Sequence, residues 1–128
     1  MKRQNFTSGS SFEDEIGYSR MVVCGDMIFV SGVTGFNYTT MTISENIVSQ
    51  TEQCFLNIMS ILSKVDAELS NIVQVWYILP NKQDFKDCMP TLKKFFGEIK
   101  PAATLIEAGL LDDRMKIEIQ VTAMKKMQ

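Results

Sequence analysis

Residues 101–123, PAATLIEAGLLDDRMKIEIQVTA, carry the clearest structural signal in the chain. From Met115 onward, apolar residues (Met115, Ile117, Ile119, Val121 and Ala123) alternate with polar ones (Lys116, Glu118, Gln120 and Thr122). A period of two is typical of a β-strand that buries one face. The pattern therefore predicts a strand that places the Glu118 carboxylate on the face opposite the core. A carboxylate fixed on a strand is a candidate site residue if a neighbour covers that face.

A second short strand is predicted just before this one. The run Ala102–Ala108 is largely apolar, and Gly109–Arg114 supplies a polar connection that contains glycine and aspartate. Two strands joined by such a connection are typical of a β-hairpin. We therefore expect the chain to end in a hairpin.

Length and composition predict one globular domain over residues 1–128. Hydrophobic residues make up 45% of the chain and charged residues 22%, with a net charge of −2. This is ordinary globular usage at a common domain size. No Lys/Arg cluster suggests a nucleic-acid partner, and no apolar stretch is long enough for a signal peptide or a membrane span. We expect a cytoplasmic protein without nucleic-acid or membrane partners.

The residue types also exclude several kinds of site. The chain has no histidine, which rules out a Cys/His zinc site and any catalytic triad or base that uses histidine. Its three cysteines, Cys24, Cys54 and Cys88, are widely spaced and odd in number, so they do not indicate a disulfide framework. We expect buried thiols, no metal and no cofactor.

The first half of the chain predicts a hairpin followed by a helix. Residues 1–19 are polar and indicate at most a short edge strand, then loop. Arg20–Cys24 and Met27–Ser31 are apolar runs separated by Gly-Asp, which predicts a tight hairpin. Residues 32–41 read as a loop. A helix then runs to about Glu68, with two alternative caps: Thr42, paired with Glu45 in a capping box, or Ser44.

The second half predicts a strand and another helix. Ile72–Leu79 is largely apolar on both faces, so we expect a central strand that is covered on both sides, with Trp76 in the core. A helix over residues 83–98 follows, bent or split by Pro90. Two helices suit one face of an α+β sheet. The other face mixes apolar and polar groups, which favours a subunit interface and hence a homo-oligomer.

Three segments together resemble the YjgF/RidA family, which is also described as the L-PSP endoribonuclease family. They are FEDEIGYSRMVVCGDMIFVSGVTG at residues 12–35, a long helix containing glutamine, and PAATLIEAGLLDDRMKIEIQ at residues 101–120. The resemblance implies a chorismate-mutase-like α+β fold with a mixed sheet and two helices on one face. It also implies a homotrimer with a central barrel and small-molecule clefts between subunits. The reaction implied is hydrolysis of 2-imino or enamino acids to 2-oxo acids and ammonia.

The resemblance also assigns candidate roles to particular residues. Glu118 matches the glutamate that orients the attacking water. Tyr18, Ser31, Gly32 and Thr104 match positions that line the cleft or neighbour it. Ala103 stands where the family has a carboxylate-binding arginine, and Leu105 stands where it has a cysteine. Loss of a bidentate arginine contact costs about 3 to 5 kcal/mol of binding free energy when the ligand carboxylate is left buried and unpaired.

Each candidate has a simpler interpretation. Glu118 can be an interface or solvated carboxylate, and Tyr18 can merely pack. Arg20 can replace the missing guanidinium or be an exposed residue at a strand edge, and Arg114 can be solvated. Three functions follow: an imine or enamine deaminase with Glu118 as catalytic residue, a non-catalytic small-molecule-binding trimer, and, disfavoured by the charge balance, a ribonuclease.

Overall fold

The computed structural model describes residues 1–125, which form a mixed β-sheet packed against two long helices. The strands are β1 (Arg3–Phe6), β2 (Met21–Cys24), β3 (Met27–Thr34), β4 (Phe36–Asn37), β5 (Thr42–Ile43), β6 (Ile72–Leu79), β7 (Ala102–Glu107) and β8 (Glu118–Met124). The helices are α1 (Ser11–Ile16), α2 (Ile47–Ser63) and α3 (Phe85–Phe96), with 3-10 turns at Leu69–Asn71 and Lys82–Asp84. The main sheet has six strands in the order β1-β2-β3-β8-β6-β7, and β4 pairs only with β5.

The predicted α+β class is confirmed. The helices α2 and α3 contact each other, and their apolar residues share one core cluster with the buried face of the sheet. Within that cluster Phe55 stacks on Phe95 with ring centroids 4.3 Å apart. In the part of the chain described here, no helix is both long and apolar enough to cross a membrane.

The predicted final hairpin is wrong, although both of its strands exist. β7 pairs in parallel with β6, and β8 runs antiparallel between β3 and β6. Helix α3 provides the crossover that a parallel pair requires. The alternation of side chains predicts which face of a strand is buried, but it carries no information on which strands become neighbours.

The hairpin of β2 and β3 is confirmed, with Cys24 opposite Met27 across the Gly-Asp turn. β3 extends to Thr34, beyond the predicted end at Ser31, because it continues along β8 after a register shift between Val30 and Val33. Such a bulge re-aims the side chains that follow it. Gly32 lies within this bulge.

The helices begin and end at residues other than those predicted, and local side-chain hydrogen bonds cap the starts of α1 and α2. The Asn46 side chain caps α2 by accepting a hydrogen bond from the Ser49 amide at 3.0 Å, whereas Thr42 lies in β5. Helix α2 ends at Ser63, short of the predicted Glu68, and α3 runs through Pro90 without a break. Helix α1, which the sequence analysis missed, is capped by Ser10 and ends at Gly17 with φ +89°.

Within residues 1–125, no element covers the sheet face opposite the helices. Phe29 is 45% exposed and Trp76 37% exposed on it, so the prediction that Trp76 belongs to the core is wrong. β6 is also next to the sheet edge and not covered on both sides. Its second apolar face remains available to a partner.

Candidate functional site

The predicted site residues fall into two groups within one chain. Tyr18, Arg20, Ser31, Gly32 and Glu118 come together around the ends of β2, β3 and β8. Ala103 and Thr104 lie on β7 at the edge of the sheet. We call the first group the Glu118 cluster.

Arg20 is the centre of the Glu118 cluster. Its side chain is buried, with 1% of the residue exposed, so the alternative of an exposed residue at a strand edge is wrong. One guanidinium nitrogen donates to the Gly32 carbonyl at 2.7 Å, and the other terminal nitrogen donates to the Tyr18 hydroxyl at 3.3 Å. The guanidinium also lies over the Tyr38 ring, 4.3 Å from its centroid. These contacts fix its direction.

Glu13 of helix α1 compensates the buried charge of Arg20. Its carboxylate lies 3.7 Å from Nε of Arg20 and accepts a hydrogen bond from the Arg20 amide at 3.2 Å. It also accepts hydrogen bonds from the amide and hydroxyl of Ser8. Burial raises the pKa of Glu13, but the hydrogen bonds from Ser8 and Thr7 and the charge of Arg20 outweigh it, so the net pKa is lowered. Helix α1 is therefore attached to the start of β2 through the ionised carboxylate of Glu13.

Glu118 lies directly against the backbone of Gly32. A Cβ built on Gly32 would lie 2.7 Å from the carboxyl carbon and carboxyl oxygen of Glu118. Real Cβ atoms essentially never approach so closely, so only glycine leaves the carboxylate in this position. The bulge in β3 thus supplies the space that the Glu118 side chain occupies.

Burial also sets the electrostatics of Glu118. The side chain is half-buried, and desolvation raises its pKa, while the positive charge of Arg20 lowers it in part. The net effect is a raised pKa for Glu118. A carboxylate whose pKa is raised by burial is a stronger general base than an ordinary surface glutamate.

An open depression adjoins the cluster. It has a volume of about 510 Å³, and Tyr18, Ser19 and Ser31 contribute to its walls. Ser31 is held by its hydroxyl, which donates to the Ser19 carbonyl at 2.6 Å, and by its amide, which donates to the Arg20 carbonyl at 2.9 Å. The depression is wide enough for a small metabolite but has no roof within residues 1–125.

Ala103 cannot share a pocket with Glu118 inside one chain. Ala103 pairs with Val75, whose side chain is buried in the core, whereas Glu118 pairs with Ile78. Positions three residues apart on β6 face opposite sides of the sheet, so Ala103 and Glu118 do too. Thr104 is on the same face as Glu118 but two strands away and offset by two residues along the strands, a distance of about 12 Å at normal strand geometry.

Buried Gln50 of α2 orients the segment that enters β8. Its amide group donates to the carbonyls of Ser44 and Arg114 at 2.7 and 2.8 Å and accepts from the Lys116 amide at 2.9 Å. Gln50 is 0% exposed. These bonds join the start of α2 to the residues that precede Glu118.

Sequence reasoning missed Glu13, Tyr38 and Gln50, which position the cluster. Glu13 and Arg20 are seven residues apart in sequence, and this spacing does not by itself predict an ion pair. They come into contact only because α1 packs against the start of β2. The one usable signal for Gln50 was a polar residue on the apolar stripe of a predicted helix. Such a residue is rarely buried without hydrogen-bond partners.

The thiols form no part of the cluster. Cys54 and Cys88 are buried, as predicted, while Cys24 is half-buried. Burial raises the pKa of the Cys54 and Cys88 thiols, so both are poor nucleophiles at neutral pH. Arg114 is solvent-exposed, as expected, and pairs with Asp112 at 2.7 Å. Within residues 1–125, no group of three His, Cys, Asp or Glu side chains could hold a metal ion.

Comparison with known proteins gives consistent matches along the chain. The model of the family described as Endoribonuclease L-PSP matches residues 9–125. "Reactive Intermediate Deaminase A, chloroplastic" of Arabidopsis thaliana is 32% identical over 107 residues, which are 83% of this chain and 57% of that protein. This chain therefore spans a little over half the length of that relative.

Two further matches cover nearly the whole of both proteins. A 2-iminobutanoate/2-iminopropanoate deaminase of Escherichia coli (strain K12) is 27% identical over 85% of this chain and 88% of that protein. The crystal structure of Rv2704 from Mycobacterium tuberculosis, described as a member of the YjgF/YER057c/UK114 family, has a TM-score of 0.87 at 27% identity. That match covers 96% of this chain and 99% of the other.

Proposed function

Because the chain belongs to the Endoribonuclease L-PSP family, which is the YjgF/RidA family, we propose that it hydrolyses imines, enamines or related small metabolites. The observation that carries this proposal is the Glu118 cluster. It places a half-buried carboxylate of raised pKa against the Gly32 backbone and near a fixed guanidinium. The deaminase activity for which two of the relatives are named is in keeping with such a site.

In the proposed reaction Glu118 orients and deprotonates water. The water oxygen attacks the carbon of the C=N bond, and Glu118 takes the proton released by the water. That proton is returned to the nitrogen, which gives a carbinolamine. Glu118 then transfers the proton of the new hydroxyl group to the amino nitrogen, and ammonia leaves as the carbonyl forms. Burial raises the pKa of Glu118 and so strengthens it as the base, while the charge of Arg20 limits the rise and keeps the group ionisable.

The complete site is proposed to lie between chains of a homotrimer. The depression beside the Glu118 cluster has no roof within residues 1–125, and β7 with Ala103 and Thr104 lies at the far edge of the sheet. A ring of chains would bring β7 of one chain to the Glu118 cluster of the next. The three free cysteines favour a reducing compartment, and we place the protein in the cytoplasm.

The second candidate is a small-molecule-binding trimer without catalysis, and Ala103 favours it. The family resemblance places a carboxylate-binding arginine at this position, and a methyl group cannot replace its paired hydrogen bonds. Arg20 does not replace this arginine, because hydrogen bonds to the Gly32 carbonyl and the Tyr18 hydroxyl hold its side chain in place within its own chain. Ribonuclease activity has weaker support, since RNA binding depends largely on neutralising phosphates and the chain has a net charge of −2.

The deciding experiment is a coupled assay of imine loss. An amino-acid oxidase or dehydratase generates 2-iminopropanoate or 2-iminobutanoate, and ammonia release is followed with and without the protein. The variants are Ala103→Arg, which restores the guanidinium, and Glu118→Gln. The matched control is Met59→Arg, which adds the same charge at an exposed position on helix α2, away from the open face of the sheet.

Acceleration by the wild-type protein that disappears in Glu118→Gln supports the deaminase. Acceleration by Ala103→Arg alone, with Met59→Arg inactive, supports the binding protein and an intact cleft. We expect at least a tenfold gain from Ala103→Arg, since a charge-assisted pair contributes about 1.5 to 3 kcal/mol. Wild-type activity that survives Glu118→Gln unchanged would falsify the role of Glu118.

A further inference from the structure

A second cavity lies on the helix side of the molecule and shares Arg20 with the Glu118 cluster. It has a volume of about 320 Å³ and is bounded by the N-terminal segment, the β4–β5 hairpin and the outer face of α2. Its walls include Ser8, Arg20, Tyr38, Asn57, Ser60 and Lys64. We call it the outer cavity. Its size is at the lower end of small-metabolite sites.

The lining of the outer cavity is cationic in an acidic chain. Arg20 and Lys64 both line it, and no aspartate or glutamate does. The net charge of the whole chain is −2, so this positive lining is a local feature. The Glu13 carboxylate lies 3.7 Å from Nε of Arg20 and compensates much of the guanidinium charge. Lys64 therefore provides most of the remaining positive potential.

Both cations keep unused hydrogen-bond donors within residues 1–125. A guanidinium has five N–H groups, of which Ser8, the Gly32 carbonyl and Tyr18 take one each. The ammonium of Lys64 has three, and the Thr7 carbonyl takes one at 2.7 Å. The Arg20 side chain is buried and lies over the Tyr38 ring. Its direction is thus set before any ligand arrives.

We propose that the outer cavity binds a small anionic metabolite through a carboxylate or phosphate group. The anion accepts hydrogen bonds from the free donors of Arg20 and Lys64, and the hydroxyl group of Ser60 contacts its polar remainder. Asn57 forms part of the wall, and its amide nitrogen is already bonded to the carbonyls of Thr34 and Phe36. Arginine and lysine donors are those that best match such oxygens. The site is complete in one chain and does not depend on the proposed deaminase activity.

The test is a titration of the full-length protein followed by ¹⁵N NMR at constant ionic strength. Inorganic phosphate and succinate are titrated separately, and sodium chloride serves as the blank. Lys64→Met removes the charge but keeps the aliphatic stem, and Ser60→Tyr fills the mouth of the cavity from an exposed helix position. Lys86→Met, at an exposed position on α3, is the matched control. Thermal melts verify that each variant folds.

We expect shifts at Tyr38 and Asn57 with phosphate, succinate or both, and the stronger ligand identifies the anionic group. Lys64→Met should raise Kd at least tenfold, Ser60→Tyr should abolish the shifts, and Lys86→Met should leave Kd unchanged. Equal shifts with sodium chloride, no saturable shift with either anion, or the same Kd in Lys64→Met and wild type would each overturn the proposal. None of these readouts uses deaminase activity, so this site and the proposed reaction can fail separately.

Discussion

Glu118 shows how a single residue acquires a special environment from its neighbours. Its place on the polar face of a strand was evident from the alternation around Ile117 and Ile119. What the side chain meets there is set by the β3 bulge, where Gly32 leaves no Cβ in its way. Burial then raises the pKa of the carboxylate against the opposing charge of Arg20.

The first prediction concerns the stability of Glu118→Gln. A carboxyl group whose pKa is raised in the folded state favours folding at low pH, and that contribution is lost as pH rises through the raised value. The neutral amide avoids this loss. We therefore expect Glu118→Gln to unfold at a higher temperature than wild type at pH 7, with the difference closing near pH 4. A lower Tm for the variant at pH 7 would mean that attraction to Arg20 outweighs burial.

The second prediction concerns Gly32→Ala. The new Cβ would meet the carboxyl end of the Glu118 side chain and not backbone, so the glutamate can rotate away at little cost. We expect stability to fall by less than about 2 kcal/mol, while any Glu118-dependent imine hydrolysis falls at least tenfold. Gly109→Ala is the control, because nothing lies within 4 Å of its added Cβ. Equal activity in Gly32→Ala and Gly109→Ala would contradict the proposed packing.

Buried polar side chains join the elements of this fold to one another. Glu13 attaches α1 to the start of β2 through Arg20, and Gln50 attaches α2 to the backbone just before β8. Each of these groups is buried and satisfied by hydrogen bonds. Loss of one partner would leave the others desolvated and unpaired. The elements that carry Arg20 and Glu118 are therefore positioned by polar contacts as well as by apolar packing.

The third prediction tests the attachment of α1. The pKa of Glu13 is lowered on folding, because its hydrogen bonds and Arg20 outweigh burial, so its stabilisation is present above about pH 4.5 and lost as pH falls. We expect Glu13→Gln to lower the free energy of unfolding by about 2 kcal/mol at pH 7. Chemical denaturation at several pH values should show the difference vanishing in acid. The exposed neighbour Glu15→Gln should match wild type throughout.

At the scale of the whole molecule, the sheet has one covered and one open face. The helices cover the face that bears Val75 and Val121, and both are buried. Phe29 and Trp76 remain exposed on the other face, together with the polar groups of β8. A sheet with a second apolar face is typical of a subunit interface. The split of the predicted site residues between two ends of the sheet points in the same direction.

The fourth prediction is that this open face joins the chains. Analytical ultracentrifugation of the wild type should give three times the chain mass of 14.5 kDa. Trp76→Glu should give monomers, because an unpaired charge in an apolar interface is strongly unfavourable. Met59→Glu, at an exposed position on helix α2, should remain trimeric. A monomeric wild type would refute the proposed site between chains.

The sequence by itself determined the features that depend on near neighbours in the chain. Period-two alternation predicted β8 and its polar face, the apolar Ile72–Leu79 run predicted β6, and the Gly-Asp turn predicted the β2–β3 hairpin. The family resemblance also followed from short motifs. It identified Glu118 as the candidate catalytic residue and Ala103 as the position where the family has an arginine. These features are local because side-chain direction in a strand is fixed by the backbone repeat.

Only the tertiary structure decided the contacts between distant segments. It inserted β6 between β7 and β8, replaced the expected hairpin, and put Ala103 and Glu118 on opposite faces. It also buried Arg20 between Glu13 and Tyr38 and created the outer cavity. Strand pairing and the packing of charged groups depend on which surfaces meet once the chain is compact. No local pattern contains that information, since such contacts join residues far apart in sequence.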